Sequence, residues 1–317
     1  MSTISPNGIF ALDCFDAEMS RRTSAKDWNR ILNMRNNSRF SEALPTYHRL
    51  ISAYFADNIV LNRVVTEAWR FEMLVYTLYL HDQRQARDPR SGLTLSNLQR
   101  ICAQQNCASS GRVFAIVGIM RVGGYLQKQK SARDSRVMQL QPSDKFIEIV
   151  EGWNRRIFEI IDTVYPLQSL VQHHTAHPRF GWEMRRRGAE HMLKGWKLLD
   201  PFPEVAFFVS SDGGWMLLLH CVVESFKSDR KKLAPVSLDL VEFGRKFGVS
   251  RSHLRRLLES AYSEGLLNAP PRNGANIQLA PHLVASFLSC MASELDNYRE
   301  WAGAAAIELG LLSGGSL

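Results

Sequence analysis

The sequence predicts a mainly α-helical fold with small β-hairpin wings, built as two similar halves packed through long helices. Three observations carry that expectation. Pro235–Leu267, PVSLDLVEFGRKFGVSRSHLRRLLESAYSEGLL, reads at helical period as two short helices joined by Gly248-Val249-Ser250 and closed by Gly265, which is helix-turn-helix spacing. Leu93–Leu126 repeats its apolar positions. Each copy is followed by a long stretch whose apolar residues recur at helical spacing.

In chain order, residues 1–45 are rich in Ser, Asn, Arg and Asp, with apolar patches at Ile9–Leu12 and around Trp28, Ile31 and Leu32. They read as an N-terminal arm with one short helix. From Tyr47 to His81, Leu50, Tyr54, Val60, Val64, Ala68, Phe71, Leu74, Val75 and Leu78 keep helical spacing up to the breakers Asp88-Pro89 and Ser91-Gly92. Long, largely buried helices are expected there.

The first copy follows. Laid with Ser109 on Ser250, it places Val113 on Leu254, Ile116 on Leu257, Val117 on Leu258, Met120 on Ala261, Gly124 on Gly265 and Leu126 on Leu267. Every core position is apolar in both copies, so the chain reads as an internal duplication. Beyond each helix pair a hairpin is expected. The first ends Val-Met-Gln-Leu-Gln-Pro at Pro142 and the second Asn-Ile-Gln-Leu-Ala-Pro at Pro281, making the second wing shorter by two residues. In the second copy Leu266-Leu267 and Asn276–Leu279 read as short strands around Arg272-Asn273-Gly274, where Asn-Gly supplies the positive φ of a tight turn.

Downstream stripes complete each half: Phe146, Ile149, Val150, Trp153, Ile157, Ile160 and Ile161 after the first copy, and Leu283, Val284, Phe287, Leu288, Met291 and Leu295 after the second. Pro201 and Pro203 suggest a linker, and Met216-Leu217 can be laid on Met73-Leu74. The expected organisation is an arm (1–45), a first winged helix-turn-helix half (46–175) and a second (176–317), forming an intramolecular pseudo-dimer.

The second helix of the second copy carries the candidate chemistry. At about 100° per residue, Leu254, Leu257, Leu258 and Ala261 share one face, and Ser252, Arg255, Arg256 and Glu259 the other. Ser250 is placed to cap that helix. The cationic face and a net charge of +8 favour an anionic partner.

Other chemistry is weaker. His173, His174 and His177 lie close together, and on a helix His173 and His177 could face one metal ion, yet without a neighbouring Cys or carboxylate pair they read as a solvated loop or hinge. Arg185-Arg186-Arg187 reads as a solvated helix face that in this setting could touch phosphate. No phosphate loop, nucleophile elbow or paired-carboxylate constellation stands out, so neither an enzyme nor a bound cofactor is expected. Five cysteines fit no Cys-x2-Cys pattern and read as reduced thiols, with Cys14 or Cys107 as the alternative oxidant sensor. Asp13, Asp16 and Glu18 interrupt any signal-like apolar core, and the runs Val205–Val209 and Trp215–Val223 are too short for a membrane span. A cytoplasmic protein with no membrane contact is expected.

Leu93–Lys145 resembles the multiple-antibiotic-resistance regulator (MarR) family, in its helix-turn-helix spacing, in Gly124-Tyr125-Leu126, and in the wing residues Asp134-Ser135-Arg136 followed by Leu140-Gln141-Pro142. The resemblance implies that Arg136 reaches DNA from the wing tip and that Asp134 helps hold the wing. The second copy offers Arg272 and no Asp-x-Arg. Family members usually dimerise through terminal helices and often release DNA on binding a small, frequently phenolic, ligand, so a fused dimer is implied here.

The expected function is that of a transcriptional regulator binding duplex DNA, as a monomeric pseudo-dimer or a homodimer. A plasmid-type replication initiator and a protein-binding scaffold are the alternatives. The candidate DNA contacts are Ser250, Arg251, Ser252, His253, Arg255, Arg256 and Arg272 in the second copy, and Ser109, Ser110, Arg112, Lys128, Lys130, Arg133, Asp134 and Arg136 in the first. Trp69, Phe71, Tyr76, Trp153 and Phe158 are candidates to enclose a small aromatic effector, with plain core packing as the competing reading.

Overall fold

A computed structural model describes residues 13–56, 68–85, 87–88, 90–130, 137–227, 233–272 and 276–312. The chain forms two compact units interleaved along the sequence. Unit 1 comprises Met1–Asn62, Arg156–Val171 and Lys197–Glu300; unit 2 comprises Arg63–Arg155, Gln172–Trp196 and Trp301–Leu317. Neither unit is one continuous stretch. The architecture is mainly helical, with a two-stranded antiparallel hairpin.

Unit 2 is built on α4 (Ala68–Asp82), α5 (Leu95–Gln104), α6 (Ser110–Val122) and the hairpin β1 (Leu126–Lys130) and β2 (Met138–Pro142). Thr94 caps α5 by accepting the Asn97 N–H at 3.1 Å, and Ser109 caps α6 by accepting that of Arg112 at 3.4 Å. Met73, Leu98, Ile101, Val113, Val117, Met120, Leu140 and Phe146 close one apolar core beneath these elements. β1 and β2 pair from Leu126↔Pro142 to Lys130↔Met138. Leu93 and Thr94 extend the hairpin on its other edge: the Leu140 N–H donates to the Leu93 carbonyl at 2.9 Å, and Thr94 bridges Gln139.

Unit 1 contains α1 (Asp13–Met19), α2 (Ala25–Arg35), α3 (Phe40–Ala56), α10 (Pro203–Val209), α11 (Gly214–Ser225), α12 (Leu240–Phe247) and α13 (Arg251–Ser263). The remaining helices are α7 (Asp144–Val164), α8 (Leu170–Ala176), α9 (Phe180–Leu193) and α14 (Pro281–Glu308). From Leu283 to Leu295 every residue of α14 except the half-buried Leu288 is buried, so its polar side chains need partners inside the protein. Ser286 donates to Glu204 at 2.7 Å, Ser289 accepts from Arg35 at 2.9 Å, Tyr47 donates to Glu294 at 2.9 Å and Arg30 donates to Asp296 at 2.7 Å.

Two of those partners come from the segment expected to be an arm. That segment carries α1 and α2 instead of one short helix, and Trp28, Ile31 and Met34 are buried. The expected linker at Pro201 and Pro203 is likewise packed, with Phe202, Val205 and Phe208 buried.

The second helix pair shows why its sequence turns where it does. Asp239 accepts the Val241 and Glu242 N–H groups at 2.8 and 3.1 Å, Glu242 lies in the first turn of α12, and Arg245 and Lys246 lie in its last. Gly248 ends the helix at φ +72°, and Ser250 starts α13 by accepting the His253 N–H at 3.2 Å. A Cβ on Gly244 would stand 2.3 Å from the Val249 carbonyl oxygen, so the turn folds against a position that needs glycine.

The second wing is reduced to bridges. Leu267 pairs with Leu279, Asn268 N–H donates to Gln278 at 2.8 Å, and Val236 and Ile277 exchange reciprocal bonds of 2.8 Å. Its turn, residues 273–275, lies outside the described residues. The register corrects the expected alignment of Pro281 on Pro142. Leu279 occupies the place opposite Leu267 that Pro142 holds opposite Leu126, and Ile277 bonds Val236 as Leu140 bonds Leu93. Pro281 instead opens α14, at the first helical position where its missing N–H costs no bond.

Candidate nucleic-acid interface

On α13 the burial pattern follows the periodicity. Leu254, Leu257, Leu258 and Ala261 are buried, and Arg251, Ser252, Arg255, Arg256 and Glu259 are exposed. Ser250 and Arg272 are exposed as well, while His253 is half-buried. Arg255 meets Glu259 at 3.6 Å, and the Arg256 Nε donates to the Ser252 carbonyl at 3.4 Å. Long surface contacts of this kind are worth about 0–1 kcal/mol, so both guanidinium groups can exchange them for a stronger acceptor.

The matching face of α6 differs. Ser109, Ser110 and Arg112 at its start are exposed, but the Arg112 guanidinium lies over the Trp69 ring at 5.7 Å, which Arg70 also approaches at 5.4 Å. Beyond them large apolar side chains reach solvent, Phe114 65% exposed, Ile119 43% and Val122 92%, with Arg121 exposed in the last turn. Gly111 and Gly118 lie on the same helix, where an added Cβ would meet nothing. Lys128 is exposed on β1. Lys130 ends that strand, its side chain outside the described part, as are Arg133, Asp134 and Arg136.

The remaining cationic and histidine motifs resolve into ion pairs within unit 2. Arg186 bonds Glu183 at 2.9 Å, Glu190 at 2.8 Å and Glu308 at 3.1 Å, and Arg187 also pairs with Glu308. Arg185 pairs with Glu151, which His174 Nε2 meets at 2.6 Å. Burial would raise the Glu151 carboxyl, but the His174 hydrogen bond and the Arg185 charge outweigh it and hold the group at about 2. The arginine run is therefore a partly buried salt-bridge network and not a solvated face. His177 Nδ1 accepts the Arg179 N–H at 3.3 Å, and His173 lies 6.0 Å from the Phe180 ring. The three histidines thus face separate partners. Among the described residues no three His, Cys, Asp or Glu side chains gather as a metal site.

The expected effector residues divide between the units. Tyr76 belongs to the core of unit 2, with Trp69 packed against it and Phe71 6.5 Å from Trp153; Phe158 is fully buried in unit 1. A cavity that no sequence spacing signals lies in unit 1, lined in part by His48, Ser52 and His220. The Cys102 thiol is pushed far up by its hydrogen bond with Cys107 and by burial, the opposite of a reactive thiolate.

No protein-family model matches the chain, and neither a curated protein nor a solved structure does. Among the described residues no helix is long and apolar enough to cross a membrane.

Proposed function

We propose that the chain is a sequence-specific duplex-DNA-binding transcriptional regulator, made of two winged helix-turn-helix modules in one polypeptide and arranged as an intramolecular pseudo-dimer. One observation carries the reading: a capped thirteen-residue helix, set after a glycine-closed turn, offers Arg251, Ser252, Arg255 and Arg256 to solvent. The major groove admits an α-helix, and an arginine there can bond guanine O6 and N7 together. Ser250 and the free N–H groups at the start of α13 suit a backbone phosphate. Lys128 and Arg272, from the two wings, add cations that hold position without choosing sequence. On this reading the chain acts in the cytoplasm, without a catalytic step or a cofactor, and a small aromatic effector modulates it.

The exposed Phe114, Ile119 and Val122 favour a second reading for the first copy, contact with another protein. Selection of bound sequences from random duplex DNA tests both. A single enriched operator supports the regulator, tandem repeats favour a replication initiator, and absence of salt-sensitive binding leaves the protein-contact role.

A further inference from the structure

A cavity of about 180 Å³ opens in unit 1 among α3, α11 and α12. A dry cavity of about 150 Å³ already accepts a benzene ring, so this one has room for a single six-membered ring with a small substituent. Phe243 and Phe247 on α12 give it aromatic walls, their rings 4.6 Å apart, and His220 lies 5.8 Å from Phe243.

The polar lining is incomplete. Ser52 is 5% exposed, and its hydroxyl has no hydrogen-bond partner in the protein. A buried hydroxyl ordinarily has one. Beside it His48 Nε2 and His220 Nδ1 are 3.3 Å apart. Burial, and for His48 the neighbouring His220, hold both rings below the usual histidine range, His48 at about 4, so the pair is neutral near pH 7. In a neutral imidazole one nitrogen donates and the other accepts. Whichever ring donates across the pair, its own outer nitrogen is a bare acceptor and its partner's outer nitrogen is an N–H donor. The lining therefore offers one donor, one acceptor and a hydroxyl that can be either.

Charge at the rim narrows the choice. Lys246 lines the cavity together with the carboxylates of Asp239 and Glu242. One cation against two anions does not favour an anionic guest. A bare hydrocarbon ring would leave the Ser52 hydroxyl without a partner.

We propose that this cavity binds a small neutral molecule of one planar ring carrying a hydrogen-bond donor next to an acceptor, the cyclic-amide class. Such a ring lies against the Phe243 and Phe247 walls and meets the imidazole pair and Ser52 with its amide edge. The site lies wholly in unit 1 and stands whether or not the chain binds DNA. Its occupant would touch α12, the helix that leads into the turn before α13.

The test is calorimetric titration of the full chain with 2-pyridone, benzoate and toluene as probes, beside thermal melting in each. The expected result is one 2-pyridone per chain with a raised melting temperature, and binding of benzoate and toluene weaker by at least about tenfold. Ser52→Ala removes a hydroxyl without a protein partner, so that variant is expected to melt no lower than the natural chain and to bind 2-pyridone about tenfold more weakly. His220→Phe, which removes one imidazole and keeps a ring there, is expected to abolish the preference for 2-pyridone over toluene. No binding of 2-pyridone, equal binding of all three probes, or undiminished binding by folded Ser52→Ala overturns the proposal.

Discussion

Arg255 and Arg256 differ from the other clustered arginines in having little to hold them: Arg186 is tied to three carboxylates, whereas Arg255 has one at 3.6 Å. A bidentate arginine–guanine contact is worth about 1–3 kcal/mol of discrimination between bases. Arg255→Ala should therefore relax sequence choice while non-specific affinity changes little. Lys128→Ala, by contrast, should weaken all duplexes alike and flatten the slope of log K against log salt by about 0.9 if its cation meets one phosphate. Binding isotherms of both variants on selected and scrambled DNA over a salt series separate the roles; a uniform loss from Arg255→Ala would assign that residue to the phosphate backbone. A second residue-scale expectation concerns Glu294, fully buried against Tyr47, whose carboxyl burial pushes up to about 7 from an ordinary 4.5. Between those values the folded chain keeps a proton that the unfolded chain has released. This contribution therefore favours folding below about pH 4.5, declines as pH rises to about 7 and stays lost above it, by on the order of 3 kcal/mol. His48, held at about 4, acts in the opposite sense, its contribution being lost as pH falls from 6.5. Comparing urea unfolding of Glu294→Gln with the natural chain isolates the carboxyl: the variant should be the more stable at pH 8 and should lose that advantage toward pH 5.

At the scale of the element, α12 and its turn show how local rules set the geometry of a helix pair. Gly244 lies in the middle of α12, where alanine would ordinarily be preferred to glycine by about 1 kcal/mol. Here an added Cβ meets the Val249 carbonyl oxygen at 2.3 Å, and backbone on that side cannot give way without reopening the turn. Gly244→Ala should accordingly destabilise unit 1 by about 1–3 kcal/mol, measured as a lower melting temperature. An unchanged or raised value would mean that the turn relaxes freely. Much of this element was legible beforehand, because caps and periodicity act over a few residues: Ser250, Gly248 and Gly265 occupy the places their chemistry predicts, and α13 buries its leucine face. The second wing does not follow from matching proline to proline, because Pro281 starts a helix while Pro142 ends a strand. The interleaving of the units and the cavity left no local trace. Arg22 with Glu204, Arg30 with Asp296, and Ser52 with His220 each join residues far apart in sequence, and no spacing rule links such pairs.

For the whole molecule, the two helix pairs share a plan and differ in what they present. Where α13 exposes Ser252, Arg255, Arg256 and Glu259, the aligned positions of α6 are Gly111, Phe114, Ala115 and Gly118, none with a polar side chain that can read a base edge. Phe114 and Val122 stand well out in solvent, so the face of α6 suits close apolar contact better than base readout. A protein that reads with one helix and only rests on DNA with the other should select a site whose information is concentrated in one half, with the second half, if contacted at all, recognised through backbone and shape. In selected duplexes one half-site should then carry strong base preferences and its mate weak ones. Replacing Arg255 and Arg256 together by alanine should erase the strong half without strengthening the weak one. Phe114→Glu should leave those base preferences in place. If it abolishes recovery of a bound protein partner, the first copy is a docking module; if it changes which bases are selected, α6 reads DNA after all. A perfect palindrome of equal information in both halves would refute the asymmetry.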